Sequence, residues 1–332
     1  MRNGTNHFLD TIKGIACIGV VFIHVHFLGI LGDVIARLFN FAVPIFFMTS
    51  GYFAFSYDKG WIEKTMQRRS KRILFLAFWS TMLYTLVING LKLMKNGCIF
   101  VGDIEPVSAL YMIARFLLLQ DVGFSGGVHL WFLWALFWSY CILRVINHFS
   151  LWNKVYRLLP LCLLVIILSD TIRVYYDKSW HIVGNVSMGM TYILLGFYAA
   201  KYKERIFKIT NKSLAVAVVL GELISLGAFL PIKYDFSQTG VVIASLALFA
   251  LAMNNSYVKI WNGLEIIGRD YSLNVYIFHI MVLYGVNYIM NVSGLADCIW
   301  FLNVKPIVVV LATLSWAAIL HWGDKKIINA NK

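Results

Sequence analysis

An all-α, polytopic membrane bundle of about ten transmembrane helices is the fold this sequence predicts, and three observations predict it. Hydrophobic residues fill 60% of the 332 positions and charged residues only 14%, a balance too apolar for a water-soluble domain. The apolar residues gather into runs close to the roughly twenty residues that one helical crossing needs. The basic residues, which give a formal net charge of +13, collect between alternate runs, as in the cytoplasmic loops of a multi-pass protein. That distribution accounts for the charge without a nucleic-acid partner. A single domain over 1–332 is expected, with membrane lipids as its surroundings.

The runs fall near 8–30, 34–55, 73–92, 128–147, 157–171, 183–200, 213–231, 238–254, 271–291 and 304–322. The fifth is the shortest. An even number places both termini on one side, and the basic residues say which. Lys59, Lys64, Arg68, Arg69, Lys71 and Arg72 share one inter-span segment, and Lys201, Lys203, Arg205, Lys208 and Lys212 share another on the same side. The opposite side holds only Lys95, Arg115, Arg173, Lys178 and Lys233. The termini are therefore expected in the cytoplasm. The first run is too long for a signal-peptide core, carries Lys13 and lacks an AxA-like cleavage site, so it is expected to stay as the first span. Five cysteines (Cys17, Cys98, Cys141, Cys162 and Cys298) form no CxxC pair, so neither a disulfide framework nor a metal site is expected.

The first span, FLDTIKGIACIGVVFIHVHFLGI, carries Lys13 and His24 in an apolar run. An ionisable group in lipid costs at least about 2.5 kcal/mol, so it usually faces a polar interior or does chemistry. On one helix the eleven-residue step puts both side chains on one face, separated by about 16 Å of rise. Asp10 and Cys17 fall near the same stripe. A cation at one end and an imidazole deeper in the bundle suit a long anionic ligand; a snorkelling lysine and an interhelical histidine are the structural alternatives.

In the second span, VPIFFMTSGYF (Val43 to Phe53) combines Pro44, which interrupts backbone bonding, with Ser50 and Gly51, which permit close approach of a helix or ligand. The loop YDKGWIEKTMQRRSKR follows. Its Arg69 and Arg72 lie three positions apart and can fork onto phosphate oxygens, or serve only as a topology signal or lipid contact. Between the third and fourth spans, VSALYMIARFLLLQ is too short to cross and reads as an interfacial or re-entrant helix. His129 and Trp131 open the fourth span in VHLWFLWALFWSY, whose aromatics fit an interfacial belt and also stack on sugar rings. Glu222 in VVLGELISLG is expected protonated or hydrogen-bonded, for structure or for function. Ser272 and His279, in SLNVYIFHIMV, are seven apart and share a helical face. No GxGxxG, Walker A, HExxH or GxSxG pattern appears.

Taken in order, KGIACIGVVFIH, VPIFFMTSGYF, the RxxR of Arg69 and Arg72, HLWFL from His129, and GRDYSLNVYIFH from Gly268 to His279 resemble the integral-membrane acyltransferase type 3 family. That family includes bacterial O-acetyltransferases that decorate surface polysaccharides. The ordered motifs reach from the first span to the ninth. The chain departs from the common pattern in having Lys13 where many members have Arg, and in lacking a proline soon after RxxR. After the tenth span only GDKKIINANK remains, so no extra extracytoplasmic domain is expected.

The resemblance implies a transferase in a bacterial-type cytoplasmic (inner) membrane. It would move an acyl group, usually acetyl from cytoplasmic acetyl-coenzyme A, onto a hydroxyl of a glycan or lipid-linked sugar, with no metal. By motif match His24 is the catalytic residue, and Lys13, Arg69 and Arg72 are the donor-binding cations. His129, Trp131, Glu222, Ser272 and His279 are candidates for acceptor or helper roles. A neutral imidazole can accept a hydroxyl proton near neutral pH, or can attack the thioester itself. The competing class is a transporter or flippase for a lipid-linked glycan, which also uses intramembrane ionisable groups.

Overall fold

The computed structural model describes residues 6–96, 126–176, 185–229 and 237–330. Among them all regular structure is helical. The helices are α1 (His7–His24), α2 (Ile30–Leu38), α3 (Ala42–Tyr52), α4 (Lys59–Asn96), α5 (Trp131–His148), α6 (Trp152–Tyr176) and α7 (Asn185–Lys201). They continue with α8 (Lys203–Ile206), α9 (Asn211–Ser225), α10 (Ser237–Asn254), α11 (Asn262–Ile266), α12 (Ser272–Val292) and α13 (Ile299–Ala330). The interfacial helix expected over 107–120 lies outside the described residues.

Seven stretches among the described residues are long and apolar enough to cross a membrane: His7–His24, Ile30–Tyr52, Lys59–Ile88, Val128–His148, Ser237–Asn254, Asn262–Val292 and Ile299–Gly323. The expected fifth, sixth and seventh spans appear as α6, α7 and α9. The last two are 17 and 15 residues long, shorter than a full crossing.

Three boundaries differ from the sequence expectation, each for a local reason. The first helix ends at His24 rather than near 30, because the chain turns through Val25–Gly29 with Gly29 at φ 70, a conformation glycine adopts without steric cost. The second span is two helices. Their break at Phe39–Phe41 leaves Pro44 in the first turn of α3, where its missing N–H forfeits no helical bond, so Pro44 begins a helix rather than kinking one. The basic loop expected over Tyr57–Arg72 is helical from Lys59 onward, as the first turns of the 38-residue α4.

The described chain divides into two compact units, Met1–Phe46 with Tyr202–Lys332, and Phe47–Lys201. In the first, Asn6 caps α1 by accepting from the Leu9 N–H at 2.9 Å and ties that end to α10 by donating to the Ala252 carbonyl at 3.0 Å. α1 packs against α11, α12 and the π-helical turn Ile267–Tyr271 that joins them. Gly14 and Gly268 allow this: a Cβ on Gly14 would overlap the Leu264 carbonyl, and one on Gly268 the Asp10 carbonyl. Cys17, Val21, Val25, Val275, Val309, Val310 and Ala317 form the core where α1, α12 and α13 meet. In the second unit α4 packs on α5 and α5 on α7. The close approach permitted at Gly51 is to a helix, since Gly51 lies on the Ile193 carbonyl and Gly196 on that of Met48.

Candidate active site

α1 runs unbroken from Lys13 to His24, so the two keep one face at about 16 Å of rise, as their spacing requires. That face lies along α12. The Cys17 thiol donates to the Ser272 carbonyl at 3.9 Å, and seven residues further on in each helix the His24 and His279 rings meet at 5.1 Å between centroids. Equal steps in the same direction mean that the two helices run parallel and in register over two turns. The pair is asymmetric: His279 is fully buried, whereas His24 is exposed at the end of α1. His279 Nδ1 lies 3.1 Å from the Val275 carbonyl and 2.8 Å from that of Tyr276. Carbonyls only accept, so Nδ1 carries the hydrogen and Nε2 is the basic nitrogen of the neutral ring.

At the other end of α1, Lys13 Nζ donates to Asp10 Oδ1 at 2.9 Å. In the first turn of α1, His7 Nδ1 donates to buried Glu265 at 2.7 Å; Glu265 also accepts from Arg269 at 3.4 Å, and Arg269 clasps Asp270 through two 3.0 Å bonds. The turn that joins α11 to α12 is thereby tied to the first turn of α1. A π-turn inside a motif-bearing helix is often a functional feature.

In the second unit, Arg69 donates from its two terminal nitrogens to the Ser50 and Phe53 carbonyls, both at 2.9 Å, closing the C-terminal end of α3. Arg72, which lies on α4 as Arg69 does, is exposed. His129 is buried edge-on to Tyr84 at 5.2 Å, and Trp131 stands 6.4 Å from Phe47. Among the described residues no group of three or more His, Cys, Asp and Glu side chains is placed to hold a metal ion.

A family profile described as an acyltransferase domain, acyltransferase 3, matches residues 6–322, nearly the whole chain. The chain belongs to this acyltransferase family. No curated protein and no solved structure matches it.

The protein is therefore a multi-pass membrane acyltransferase. Of the residues singled out in its sequence, the fold brings Lys13, His24, Ser272 and His279 to one pair of helices. Glu222 lies elsewhere in that unit, half-buried on α9 where α9 packs on α10, and Arg69, Arg72, His129 and Trp131 belong to the other unit. Sequence reasoning passed over the His7, Glu265, Arg269 and Asp270 network. One local signal was present, the i,i+4 spacing of Glu265 and Arg269 at the mouth of GRDYSLNVYIFH. His7 gives no such signal, being 258 residues from Glu265.

Proposed function

We propose that this acyltransferase moves an acetyl group from cytoplasmic acetyl-coenzyme A to a hydroxyl of a glycan or lipid-linked sugar, with His24 as base or nucleophile. The observation that carries the reading is the continuous α1 face, with a cation at one end and, about 16 Å along it, an exposed imidazole paired with the buried His279. Coenzyme A has the matching shape, with phosphates at one end and a thioester at the other. Lys13, Arg69 and Arg72 are the donor-binding cations. Lys13 gives one of its three N–H donors to Asp10 and Arg69 two of its five to backbone carbonyls, so each keeps donors for phosphate oxygens.

In the direct route the acceptor hydroxyl oxygen bonds to the thioester carbonyl carbon while His24 takes its proton. The C–S bond then breaks and the proton passes to the departing thiolate. In the stepwise route a neutral His24 nitrogen bonds to the thioester carbonyl carbon and the C–S bond breaks, releasing the thiolate. The acceptor hydroxyl oxygen then displaces the imidazole from the acetyl carbon and gives up its proton, which balances the thiolate. Either way His24 touches the reacting atoms and the cations do not. The test is acetyl transfer and coenzyme A binding by purified His24→Ala protein. Turnover is expected to fall by roughly a hundredfold or more with donor affinity nearly intact. Wild-type turnover in that variant removes His24 from the chemistry.

A further inference from the structure

The chain leaving α1 folds back at once. The Val25 N–H donates to the Val21 carbonyl at 2.8 Å, His26 Nε2 to the Ile23 carbonyl at 2.7 Å, and α2 begins at Ile30. Because the sequence alone extends the helix past His26, it predicts that ring about 200° away from His24. The helix has in fact ended, and His26 lies in the turn that follows His24.

Donation from Nε2 places the hydrogen there, so a neutral His26 ring presents Nδ1 as a lone pair. Nδ1 faces Asp33 Oδ1 at 3.6 Å, too long for a hydrogen bond between the two. Two acceptors turned toward each other are satisfied either by a proton on the imidazole, shared across the pair, or by two hydroxyls of a ligand, one donating to each. Both side chains are open, at 47% and 58% exposure. Phe27, next to His26 in the chain, belongs to a row of aromatic rings, with Phe22 at 5.3 Å from Phe27 and 6.0 Å from Phe39, and Phe39 at 6.1 Å from Phe41. Carboxylate and imidazole acceptors take the hydroxyl protons of a sugar, and the negative face of an aromatic ring attracts its C–H surface.

We propose that His26 and Asp33 form the acceptor subsite, holding the neighbouring hydroxyls of a sugar next to His24. The inference rests on the acetyl-transfer reading above and assigns it the place where the acceptor binds. The probes are methyl α-glucopyranoside, which offers vicinal hydroxyls, and ethanol, which offers one. The detergent-purified enzyme is given acetyl-coenzyme A with each, and the ratio of their kcat/KM values is measured.

The wild type is expected to favour the glucoside. Asp33→Ala and His26→Ala each lower that ratio by about tenfold, as the loss of one hydrogen bond to a charged or strongly polar group does. Asp33→Asn, which keeps one acceptor oxygen, lowers it less. An unchanged ratio in both alanine variants overturns the subsite, and so does an equal loss on both acceptors, which marks a merely structural pair. A wild type that hydrolyses acetyl-coenzyme A yet shows no preference for the glucoside overturns the subsite while leaving the donor reading standing. One that turns over no acetyl-coenzyme A overturns both.

Discussion

Arg69→Ala separates the two arginines of the RxxR pair. In the structure Arg69 spans from α4 to the end of α3, donating to the Ser50 and Phe53 carbonyls at 2.9 Å each, whereas Arg72 is exposed. A hydrogen bond from a charged donor contributes about 1.5–3 kcal/mol, and the half-buried setting of Arg69 favours the lower figure. Two bonds then come to about 3 kcal/mol, a large share of the 5–15 kcal/mol by which folded domains are usually stable. At roughly 2 °C per kcal/mol the Tm of the detergent-solubilised protein is expected to fall by about 6 °C in Arg69→Ala. Lysine, with a single compact head, restores at most about half. Arg72→Ala is expected to melt like the wild type. The assay is thermal unfolding of all three variants, followed by circular dichroism in one detergent. Equal melting of Arg69→Ala and Arg72→Ala refutes the bracing role, because two bonds that close a helix end cannot be lost at no cost.

Two further outcomes are expected. Arg72→Ala and Lys13→Ala raise the KM for acetyl-coenzyme A, and the difference from wild type shrinks at high salt because partly exposed charges are screened; it is read from initial rates at two ionic strengths. If these variants bind the donor like the wild type, the basic residues act only on topology. Lys64→Cys, in the first turns of α4, is shielded from an impermeant thiol reagent in intact cells, and its labelling there reverses the proposed orientation.

In the proposed mechanism the paired histidines, His24 at the end of α1 and His279 within α12, have separate tasks because their surroundings differ. A buried ring held by its own helix carbonyls changes orientation little, so His279 offers a fixed wall against which His24 is set. His24 lies exposed where α1 stops. In that proposal, packing gives the reacting atoms rigidity on the His279 side and access on the His24 side, a combination that catalytic groups require.

Composition and periodicity determined the membrane class and the all-helical fold, because both are properties of the chain itself: lipid demands apolar runs, and helices satisfy their own backbone within one run. The same local rule put Lys13 and His24 on one face and Ser272 and His279 on another, and both hold in the structure. The family, too, was legible, since its motifs are contiguous and ordered. Tertiary structure alone decided which faces meet. Nothing local selects Ser272 as the partner of Cys17 across 255 residues, or Glu265 as the partner of His7, because an apolar face or a buried carboxylate accepts many partners and the choice falls to the packing of whole helices. The helix ends were decided in the same way. An apolar run continues past His24, and it is the turn through Gly29 into α2, with Gly32 pressed on the Phe27 carbonyl, that stops α1 there and brings His26 and Asp33 together.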